Sequence, residues 1–371
     1  MKLFRHNDLD YKFARYPKTS NRSLRAWSAA EEYVLQKIEE LELSSEKIVI
    51  YNDRFGFLSC ILNEHMPLVM VHRKSQQRSI EQNMNLNKLE WDRERQFSPL
   101  PELPEKVDVG IINIPKTMDL FELYLNHLSR SLSEQGMVIC SFMTKYFSPQ
   151  MLSIAGEYFE DVEQSLARKK SRLLILKNKT ERPAKKLIHT IPFAFEGEGK
   201  EELQQYFGVF SSGNIDYATQ FLIEHLTLKD DDKKMMDLAS GNGVIARAIQ
   251  LKDPEAEIHL MDDSILAVES SKLNLDLANT NFHWDDTLKD FEVNSFDLVV
   301  SNPPFHFGNE TNIEVSLGLF QEVANILKPG GRFICVANRH LNYKTHLVKN
   351  FSKVKIINQN KKYVLYECKL T

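Results

Sequence analysis

The order of strand-like and helix-like segments in the first half of this chain recurs in the second half at an offset near 190 residues. Asp108 and Asn113, on a strand of the first half, match Asp297 and Asn302 on a strand of the second. Self-similarity at a constant spacing is typical of duplicated structure. We therefore predict a duplicated domain, and the alternative is two unrelated α/β domains that share a similar rhythm.

The second half alternates short apolar runs with helical patterns. Three runs with turn residues beside them are typical of strands, at 258–261, 296–300 and 332–337. Helical spacing occupies 244–251, 265–277 and 315–327. Strands that alternate with helices predict an α/β fold with a mostly parallel sheet and helices on both faces. Residues 353–369 contain two further strand-like runs around a polar turn and predict a terminal antiparallel hairpin.

The length of the chain, 371 residues, is sufficient for two or three domains. A cation-rich stretch at 168–186 follows the first repeat and holds nine Lys and Arg against one acid, Glu181. We place the boundary near residues 178–190. The predicted domains are therefore 1–180 and 190–371.

Composition excludes several classes of protein. The chain is 42% hydrophobic and 26% charged, which is typical of folded globular proteins. Four cysteines without zinc or disulfide spacing predict reduced thiols, no metal site and a cytoplasmic protein. The charged first residues and the lack of an apolar run of about 18 residues argue against secretion and membrane insertion. Because the net charge is -4, nucleic-acid binding would need local positive charge.

The segment 235–243 carries the first chemical motif. An apolar strand leads into a tight turn with Gly241 and Gly243, and a helix begins at Val244. Glycines let the backbone pass close under a ligand, and N–H groups at a helix start can donate to it. The next strand ends at Asp262, where a carboxylate can accept both hydroxyls of a ribose; alternatively, Asp262 only caps the following helix. The two features predict a cofactor that contains adenosine.

The second motif is Asn302-Pro303-Pro304-Phe305, directly after an apolar strand. Open α/β sheets bind ligands at the carboxyl ends of their strands. The Asn302 side-chain oxygen and a proline carbonyl would accept the two hydrogens of an exocyclic NH2, and Phe305 would stack on the ring. The motif predicts a pocket for a planar amine, and an ordinary turn is the alternative.

These motifs resemble those of S-adenosylmethionine-dependent amino methyltransferases with a Rossmann-like fold. The extension to His306 and the segments 208–211 and 336–341 are similar to the paired-domain rRNA guanine-N2 methyltransferases, which modify the large and small ribosomal subunits. Three segments of the first half resemble most closely the members that act on 23S rRNA; they are 24–33, 52–56 and 114–116. The resemblance covers essentially the whole chain.

The resemblance implies two tandem Rossmann-like methyltransferase domains with mostly parallel seven-stranded sheets, the first of them degenerate. It implies methyl transfer from S-adenosyl-L-methionine to the exocyclic N2 of a guanine in 23S rRNA, and we expect a monomer. The alternatives are 16S rRNA, an adenine or glutamine amine, and a non-enzymatic RNA-binding protein of ribosome assembly. The catalytic residues implied are Asn302, Pro303, Pro304 and Phe305. The cofactor-binding residues implied are Phe210, Ser211, Asp237, Ala239, Gly241, Gly243, Asp262 and Asp286.

Several residues depart from the family pattern. Ala239 stands where the family has glycine, and a positive φ there would strain alanine by roughly 1–2 kcal/mol. In the first half, Phe55 would obstruct a cofactor loop, the basic residues 72–74 replace a ribose acceptor, and Lys116 replaces the stacking aromatic. We predict that the first domain binds no cofactor and either binds RNA or stabilises its partner domain. The stretch 168–186 belongs either to an RNA-binding surface or to a solvated linker.

Overall fold

The computed structural model describes residues 1–43, 46–181, 185–195, 199–303, 306–307, 310–311 and 314–370. The chain divides into two compact units, Met1–Leu187 and Ile188–Thr371. Each unit is built on one mostly parallel seven-stranded sheet. The predicted fold class, two tandem α/β domains, is confirmed.

The first unit begins with a hairpin and continues with alternating strands and helices. Its strands are β1 (Lys2–His6), β2 (Leu9–Phe13), β3 (Ile48–Tyr51), β4 (Leu68–Met70), β5 (Gln96–Phe97), β6 (Val107–Asn113), β7 (Leu132–Met143), β8 (Phe159–Gln164) and β9 (Ser171–Lys179). Its helices are α1 (Ala29–Glu40), α2 (Phe57–Ile61), α3 (Lys74–Leu86), α4 (Met118–Ser131) and α5 (Pro149–Tyr158). The sheet order is β5-β4-β3-β6-β7-β9-β8, and β1 pairs with β2.

The second unit repeats this plan. Its strands are β10 (Ile188–Phe195), β11 (Gly199–Tyr206), β12 (Lys234–Leu238), β13 (Glu257–Asp262), β14 (Thr280–Trp284), β15 (Phe296–Ser301), β16 (His306–Phe307), β17 (Glu310–Thr311), β18 (Leu327–Asn338), β19 (Lys353–Gln359) and β20 (Tyr363–Lys369). Its helices are α6 (Tyr217–Glu224), α7 (Val244–Lys252), α8 (Ile265–Lys272), α9 (Glu314–Ile326) and α10 (Lys344–Leu347). The sheet order is β14-β13-β12-β15-β18-β20-β19.

Strand β3 in the first sheet and strand β12 in the second are each followed by a left-handed glycine that starts a helix. Gly56 has a φ of 75° and Gly243 a φ of 80°. A Cβ at Gly243 would lie 2.7 Å from the Cβ of Ser271, and one at Gly56 would lie 2.9 Å from the Cα of Ile80. Glycine is therefore required at both positions by backbone conformation and by the close approach of the next helix.

An asparagine in each unit ties the N-terminal hairpin, β1–β2 in the first unit and β10–β11 in the second, to this turn. In the second unit, Asn274 accepts from the Gln204 N–H at 2.7 Å and donates to the Asn242 carbonyl at 2.8 Å. In the first, Asn83 makes the same two bonds, accepting from the N–H of Ala14 at 2.8 Å and donating to the carbonyl of Phe55 at 2.7 Å. Identical bonding at matched positions supports duplication over a shared rhythm.

The second sheet is covered by apolar side chains on both faces. Met235, Leu298 and Ile334 belong to a buried cluster with residues of α6 and α7. The next residue of each strand belongs to a second cluster with α9 and α10. This alternation follows from the two-residue period of a strand, and each fully buried side chain of this size contributes roughly 1.5–3 kcal/mol.

Several boundaries differ from the predicted ones. Strand β18 begins at Leu327, directly after α9, rather than at residue 332, because it includes the glycine-containing segment before that residue. Strand β7 likewise begins directly after its helix, at Leu132. Helix α8 ends at Lys272 rather than 277. The predicted terminal hairpin is present as β19 and β20.

In the described part of the chain, every helix is too short or too polar to cross a membrane.

The cation-rich stretch lies largely within the first sheet. Residues 171–179 form β9 rather than a linker. Lys169 pairs with Glu32 at 3.1 Å, Lys179 with Glu134 at 2.9 Å, and Lys185 with Glu122 at 2.5 Å. Part of this positive charge is therefore balanced by carboxylates of the same unit.

Candidate active site

The loop after β12 forms a left-handed turn at the carboxyl edge of the second sheet. Ala239, Gly241 and Gly243 have φ values of 60°, 57° and 80°. The Ala239 N–H donates to the Met261 carbonyl at 2.8 Å, which joins the turn to β13. A Cβ added at Gly241 would meet no atom within 4 Å, so the turn is open on that side. The start of α7 therefore offers backbone N–H groups beside open space, as a bound ligand requires.

Ala239 adopts the conformation that strains alanine. Its φ of 60° lies in the left-handed region, where an L-residue with a Cβ loses roughly 1–2 kcal/mol. The matched residue of the first unit, Asn52, has a φ of 58°, and asparagine tolerates this region better than alanine. The sequence analysis considered a positive φ at Ala239 that would strain the alanine, and the structure has this conformation.

Asp262 connects the glycine turn to helix α8. Its Oδ2 accepts from the Gly241 N–H at 3.0 Å, and its Oδ1 accepts from the Ser264 N–H at 2.8 Å. The carboxylate therefore holds the turn and also the backbone of Ser264, the N-cap residue of α8. A carboxylate has about four lone-pair positions, so these two donors do not exclude ribose hydroxyls.

Asp237 is fully buried beneath the turn. Its Oδ2 accepts from the Ala246 N–H at 3.0 Å, while its Oδ1 has no hydrogen-bond partner among the described residues. Burial raises the pKa of this carboxyl well above its usual value; the Ala246 N–H opposes the shift and the nearby Asp262 adds to it. The sequence identified Asp237 as a cofactor-loop residue, and the structure shows that it supports the turn from below.

Three further predicted cofactor residues lie in nearby loops. The Asp285 N–H donates to the Asp262 carbonyl at 3.2 Å, which brings the following residue, Asp286, to the same edge of the sheet as Asp262. Phe210 and Ser211 lie in the loop before α6, and the Phe210 side chain is 68% exposed. The Ser211 hydroxyl donates to the Asn214 carbonyl at 2.8 Å. The structure therefore leaves the Phe210 ring open to solvent instead of packing it on the glycine turn.

Asn302 follows β15, and its amide is held in one orientation. Its Nδ2 donates to Asp216 Oδ2 at 3.1 Å and to Thr219 Oγ1 at 2.9 Å. Because an ionised carboxylate only accepts, the amide nitrogen must face Asp216 and the Asn302 oxygen must point away. That oxygen is buried and has no partner among the described residues. The site therefore presents an unused acceptor at the end of the strand.

The sequence analysis missed Asp216 and Thr219. Asp216 is the N-cap of α6, and its Oδ2 also accepts from the Ala218 N–H at 3.0 Å. An Asp before an apolar helical pattern is a recognisable N-cap signal. Contact with Asn302, 83 and 86 residues away in sequence, leaves no local signal.

Four buried polar atoms without partners, counted among the described residues, lie at the carboxyl ends of β12, β13 and β15. They are Asp237 Oδ1, Ser240 Oγ, Ser264 Oγ and Asn302 Oδ1. Buried polar groups are almost always hydrogen-bonded, and each unpaired one costs about 1–3 kcal/mol. A ligand with many polar groups would pair them, and S-adenosyl-L-methionine offers an amino acid, a ribose and an adenine. The residues present fit this cofactor.

The rest of the second motif is only partly described. Pro303 is buried, whereas Pro304 and Phe305 lie outside the described residues. Within the described part of the chain, no group of three or more His, Cys, Asp or Glu side chains is arranged to bind a metal ion.

The first unit lacks these acceptor groups at the matched positions. Strand register places Ile50 where the second unit has Asp237, and Val71 where it has Asp262. Val71 rather than the basic residues 72–74 replaces the ribose acceptor, so that interpretation was wrong. His72 is buried and bonded to the Tyr124 hydroxyl at 2.8 Å. Burial, together with the neighbouring Arg73, lowers the pKa of His72 well below its usual value, so this side chain is neutral.

The amide that matches Asn302 is already used in the first unit. Asn113 Oδ1 accepts from the Ser141 hydroxyl at 2.5 Å, whereas the Asn302 oxygen has no partner among the described residues. The turn beside it is filled by Phe55, whose ring lies under the guanidinium groups of Arg15 and Arg54 at 4.8 and 4.9 Å. Obstruction by Phe55 was predicted, and its burial agrees with that role.

Comparisons with known proteins agree with this architecture. Residues 1–182 match the family described as RLMG N-terminal domain, and residues 201–367 match the methyltransferase small domain. Ribosomal RNA large subunit methyltransferase G of Shewanella baltica (strain OS195) is 31% identical over 371 residues, covering 97% of each chain. The protein of the same name from Psychromonas ingrahamii is 30% identical, covering 95% of this chain and 94% of its own.

A solved structure shows the same fold. The T. thermophilus 16S rRNA N2 methyltransferase, in complex with AdoMet and guanosine, has a TM-score of 0.77 and 19% identity, and the match covers 100% of this chain and 98% of that one. Fold and site together define an S-adenosyl-L-methionine-dependent rRNA methyltransferase with a divergent N-terminal domain. Within that class, the chain belongs to the ribosomal RNA large subunit methyltransferase G family.

Proposed function

We propose that the second unit methylates the exocyclic N2 of a guanine in 23S rRNA, as a monomer in the cytoplasm. The names of the curated relatives support the large-subunit substrate. The single observation that supports amine chemistry is the buried Asn302 oxygen, which has no partner among the described residues and follows the strand beside an open glycine turn. The 16S rRNA is the second candidate, because the solved neighbour acts on it.

In this mechanism the chain binds and orients the amine. The bound cofactor supplies an electrophilic methyl group. Asn302 Oδ1 accepts one N2 hydrogen and the Pro303 carbonyl accepts the other, which reduces delocalisation of the lone pair into the ring and directs it at the methyl carbon. The methylated amine is cationic and releases its proton readily, so no strong base is needed before attack. The target base must be unpaired or extruded to enter the pocket.

Asp216 and Thr219 act as positioning residues in this proposal. They accept both hydrogens of the Asn302 amide, so the amide oxygen is available before the substrate arrives. An acceptor that is already oriented loses little conformational entropy when substrate binds. More of the free energy of substrate binding is then available to stabilise the transition state.

We further propose that the first unit binds no cofactor and contributes stability or RNA contacts. Ile50 and Val71 supply no side-chain hydrogen-bond acceptor, and the oxygen of Asn113 already accepts from Ser141. The glycine-turn scaffold of that unit is nevertheless intact, since Gly56 starts its helix as Gly243 does. This combination supports a structural role for the first unit.

The proposal is tested with unmodified 23S and 16S transcripts and S-adenosyl-L-methionine labelled in its methyl group. We expect one N2-methylguanine in 23S rRNA, located by nuclease digestion and mass spectrometry. Label on 16S rRNA alone would establish the second candidate. Label on adenine in either RNA would contradict guanine as the substrate.

A further inference from the structure

Charge is distributed unevenly along the second unit. Residues 188–322 hold 25 Asp and Glu against eight Lys and Arg. Residues 323–371 hold ten Lys and Arg and a single acid, Glu367. The end of the chain is therefore positively charged although the whole protein carries a net charge of -4. Such a segregated charge attracts polyanions locally.

Seven of these cations are exposed and form what we call the cationic strip: Arg339, Lys344, Lys349, Lys353, Lys355, Lys361 and Lys362. None of the seven forms an ion pair with a carboxylate in the described part of the chain. The other three cations lie close to acids: Lys328 pairs with Asp297 at 2.7 Å, Arg332 pairs with Asp232, and Lys369 lies 4.0 Å from Glu367. Among the described residues, the strip therefore contributes positive charge that is not paired with a carboxylate.

One end of the strip lies at the same sheet edge as Asn302. Strands β15 and β18 are parallel, with Ser301 opposite Cys335, so their carboxyl ends point the same way. Arg339 follows β18 directly. Its backbone N–H donates to the Lys362 carbonyl at 2.9 Å, and its side-chain Nη1 donates to the Asn360 carbonyl at 3.3 Å. These bonds hold Arg339 against the β19–β20 turn.

The β19–β20 turn also adjoins the helix that carries the positioning residues. The rings of Tyr363 and Phe221 of α6 stack with centroids 6.3 Å apart. The pKa of Lys362 is raised, chiefly by its hydrogen bond to the Tyr363 side chain and also by the Asp216 carboxylate. Lys362 is therefore within electrostatic reach of the group that orients Asn302. Tyr217, the residue after Asp216, is 66% exposed.

The rest of the strip continues away from this edge. Strand β19 is the edge strand of the sheet, and Lys353 and Lys355 lie on one of its faces because side chains two residues apart in a strand point the same way. They are about 7 Å apart along the strand. The strip thus leads from the rim of the site down the free edge of the sheet.

We propose that the cationic strip binds the phosphates of the RNA strand whose guanine enters the active site, and that Tyr217 stacks on a neighbouring unpaired base. This inference rests on the proposed function. Phosphate contacts supply affinity without sequence choice, and an exposed aromatic ring binds bases of any identity. RNA is favoured over other polyanions because Tyr217 and the amine pocket both suit nucleobases. Substrate RNA therefore binds the catalytic unit itself.

The test compares two double variants of the full chain. K361A/K362A removes two strip cations, and K229A/K289A removes two exposed lysines of the same unit that lie outside the strip. Affinity for a fluorescent single-stranded RNA is measured by anisotropy at several salt concentrations. Each lost phosphate contact should reduce the slope of log K against log salt by about 0.7. We expect K361A/K362A to reduce the slope by about 1.4 and the control to leave it unchanged.

Two further variants make the assignment more specific. K353A/K355A should also reduce the salt slope by about 1.4, because both lysines lie on the strip. Y217A should weaken binding about tenfold or more with an unchanged slope, since stacking contributes about 1–3 kcal/mol per base without releasing counterions. Affinity for S-adenosyl-L-methionine should stay at the parent value in all variants, which shows that the fold is intact.

The strip and the proposed function fail in different ways. If K361A/K362A and K353A/K355A keep the parent slope and the parent KM for 23S rRNA, the strip is refuted while methylation stands. If the variants lose RNA affinity as expected but the parent protein methylates no guanine, the strip stands as an RNA-binding surface and the proposed function is refuted.

Discussion

At the residue scale, two amides at matched positions in the two units differ in how they are bonded. Asn302 has both amide hydrogens accepted and its buried oxygen unpaired, whereas the oxygen of Asn113 is bonded to Ser141. The same residue type at the same strand end therefore has different chemistry in each unit. The difference arises from neighbours that are distant in sequence.

Asn302→Ala should reduce turnover by about 10²–10³-fold, the usual effect of deleting one preorganised polar group at a reacting centre. Affinity for S-adenosyl-L-methionine should change little, because Asn302 faces the amine. Single-turnover methylation and calorimetry measure the two quantities. An equal loss of both would show that Asn302 has only a structural role.

Asp216→Asn should lower kcat on the order of tenfold while KM and melting temperature stay near their parent values. Asparagine is an equally good N-cap, so α6 keeps its start. An amide at 216 can present either a donor or an acceptor to Asn302, so the orientation of the catalytic amide is no longer imposed. Thr219→Ser, which keeps the hydroxyl, serves as the matched control. A lower melting temperature with unchanged kcat would contradict the positioning role.

Ala239→Gly should stabilise the protein by about 1 kcal/mol, because glycine adopts a φ of 60° without the strain that alanine carries. Denaturant unfolding with and without cofactor measures the change. Ala248→Gly, within helix α7, should instead destabilise, since its backbone is helical. A destabilised A239G variant would show that the left-handed turn is not strained.

At the element scale, the apolar strands, the helices that follow them and the terminal hairpin were predicted from the sequence, while the hairpins β1–β2 and β10–β11 were not. Strands β1 and β2 are mostly exposed, so they lack the buried apolar runs that mark a central strand. The start of β18 was also missed, because residues 328–331 contain a proline and two glycines and are typical of a turn. The spacing of apolar residues reveals only those parts of a strand that are buried. The unpredicted strands β1 and β2 and the start of β18 are largely exposed to solvent.

The start of helix α1 should make stability depend on pH. Glu31 caps this helix by accepting from the Ser28 N–H at 2.7 Å. Burial, with a contribution from Asp53, raises the pKa of Glu31 to about 8, although the Ser28 bonds and Arg54 oppose the shift. A carboxyl whose pKa is higher in the folded state favours folding below its unfolded pKa, and this stability is lost as the pH rises towards 8.

Glu31→Gln should therefore flatten the decline of stability between about pH 4.5 and 8, whose slope is at most about 1.4 kcal/mol per pH unit for one group. Melting temperatures of the full chain across this range measure the effect. Glu40→Gln, on the exposed end of the same helix, is the control and should leave the slope unchanged. If E31Q melts with the parent's pH dependence, Glu31 is ionised in the folded protein.

At the scale of the whole molecule, the duplication was predicted from a constant offset, and the methyltransferase class from the resemblance of two motifs to those of a known family. The sequence could not show which groups in the first unit had replaced the lost acceptors. Asp53 accepts from the Ser59 N–H at 2.7 Å, the bond that Asp237 makes with Ala246 in the second unit. Asp53, three residues after the position that matches Asp237, thus supports the helix in the first unit. The replacement of one carboxylate by another at a different position is visible only in the structure.

The full chain should bind one molecule of S-adenosyl-L-methionine. Asp262→Ala should weaken this binding by about 10²-fold or more, because a buried polar pairing of the ribose would be lost. Calorimetry of the parent and the variant gives stoichiometry and affinity. Two sites on the parent chain, or a tight site that survives in D262A, would contradict the proposal that the first unit binds no cofactor.

Asn83 and Asn274 make equivalent bonds from a hairpin to the turn after β3 and the turn after β12. At the matched positions, the turn of the second unit has acceptor side chains suited to S-adenosyl-L-methionine and the turn of the first unit does not. Because the asparagine bonds occur in both units, their role does not depend on catalysis. They serve the folding of each half, and a mutation there would impair assembly of either half before it altered methylation.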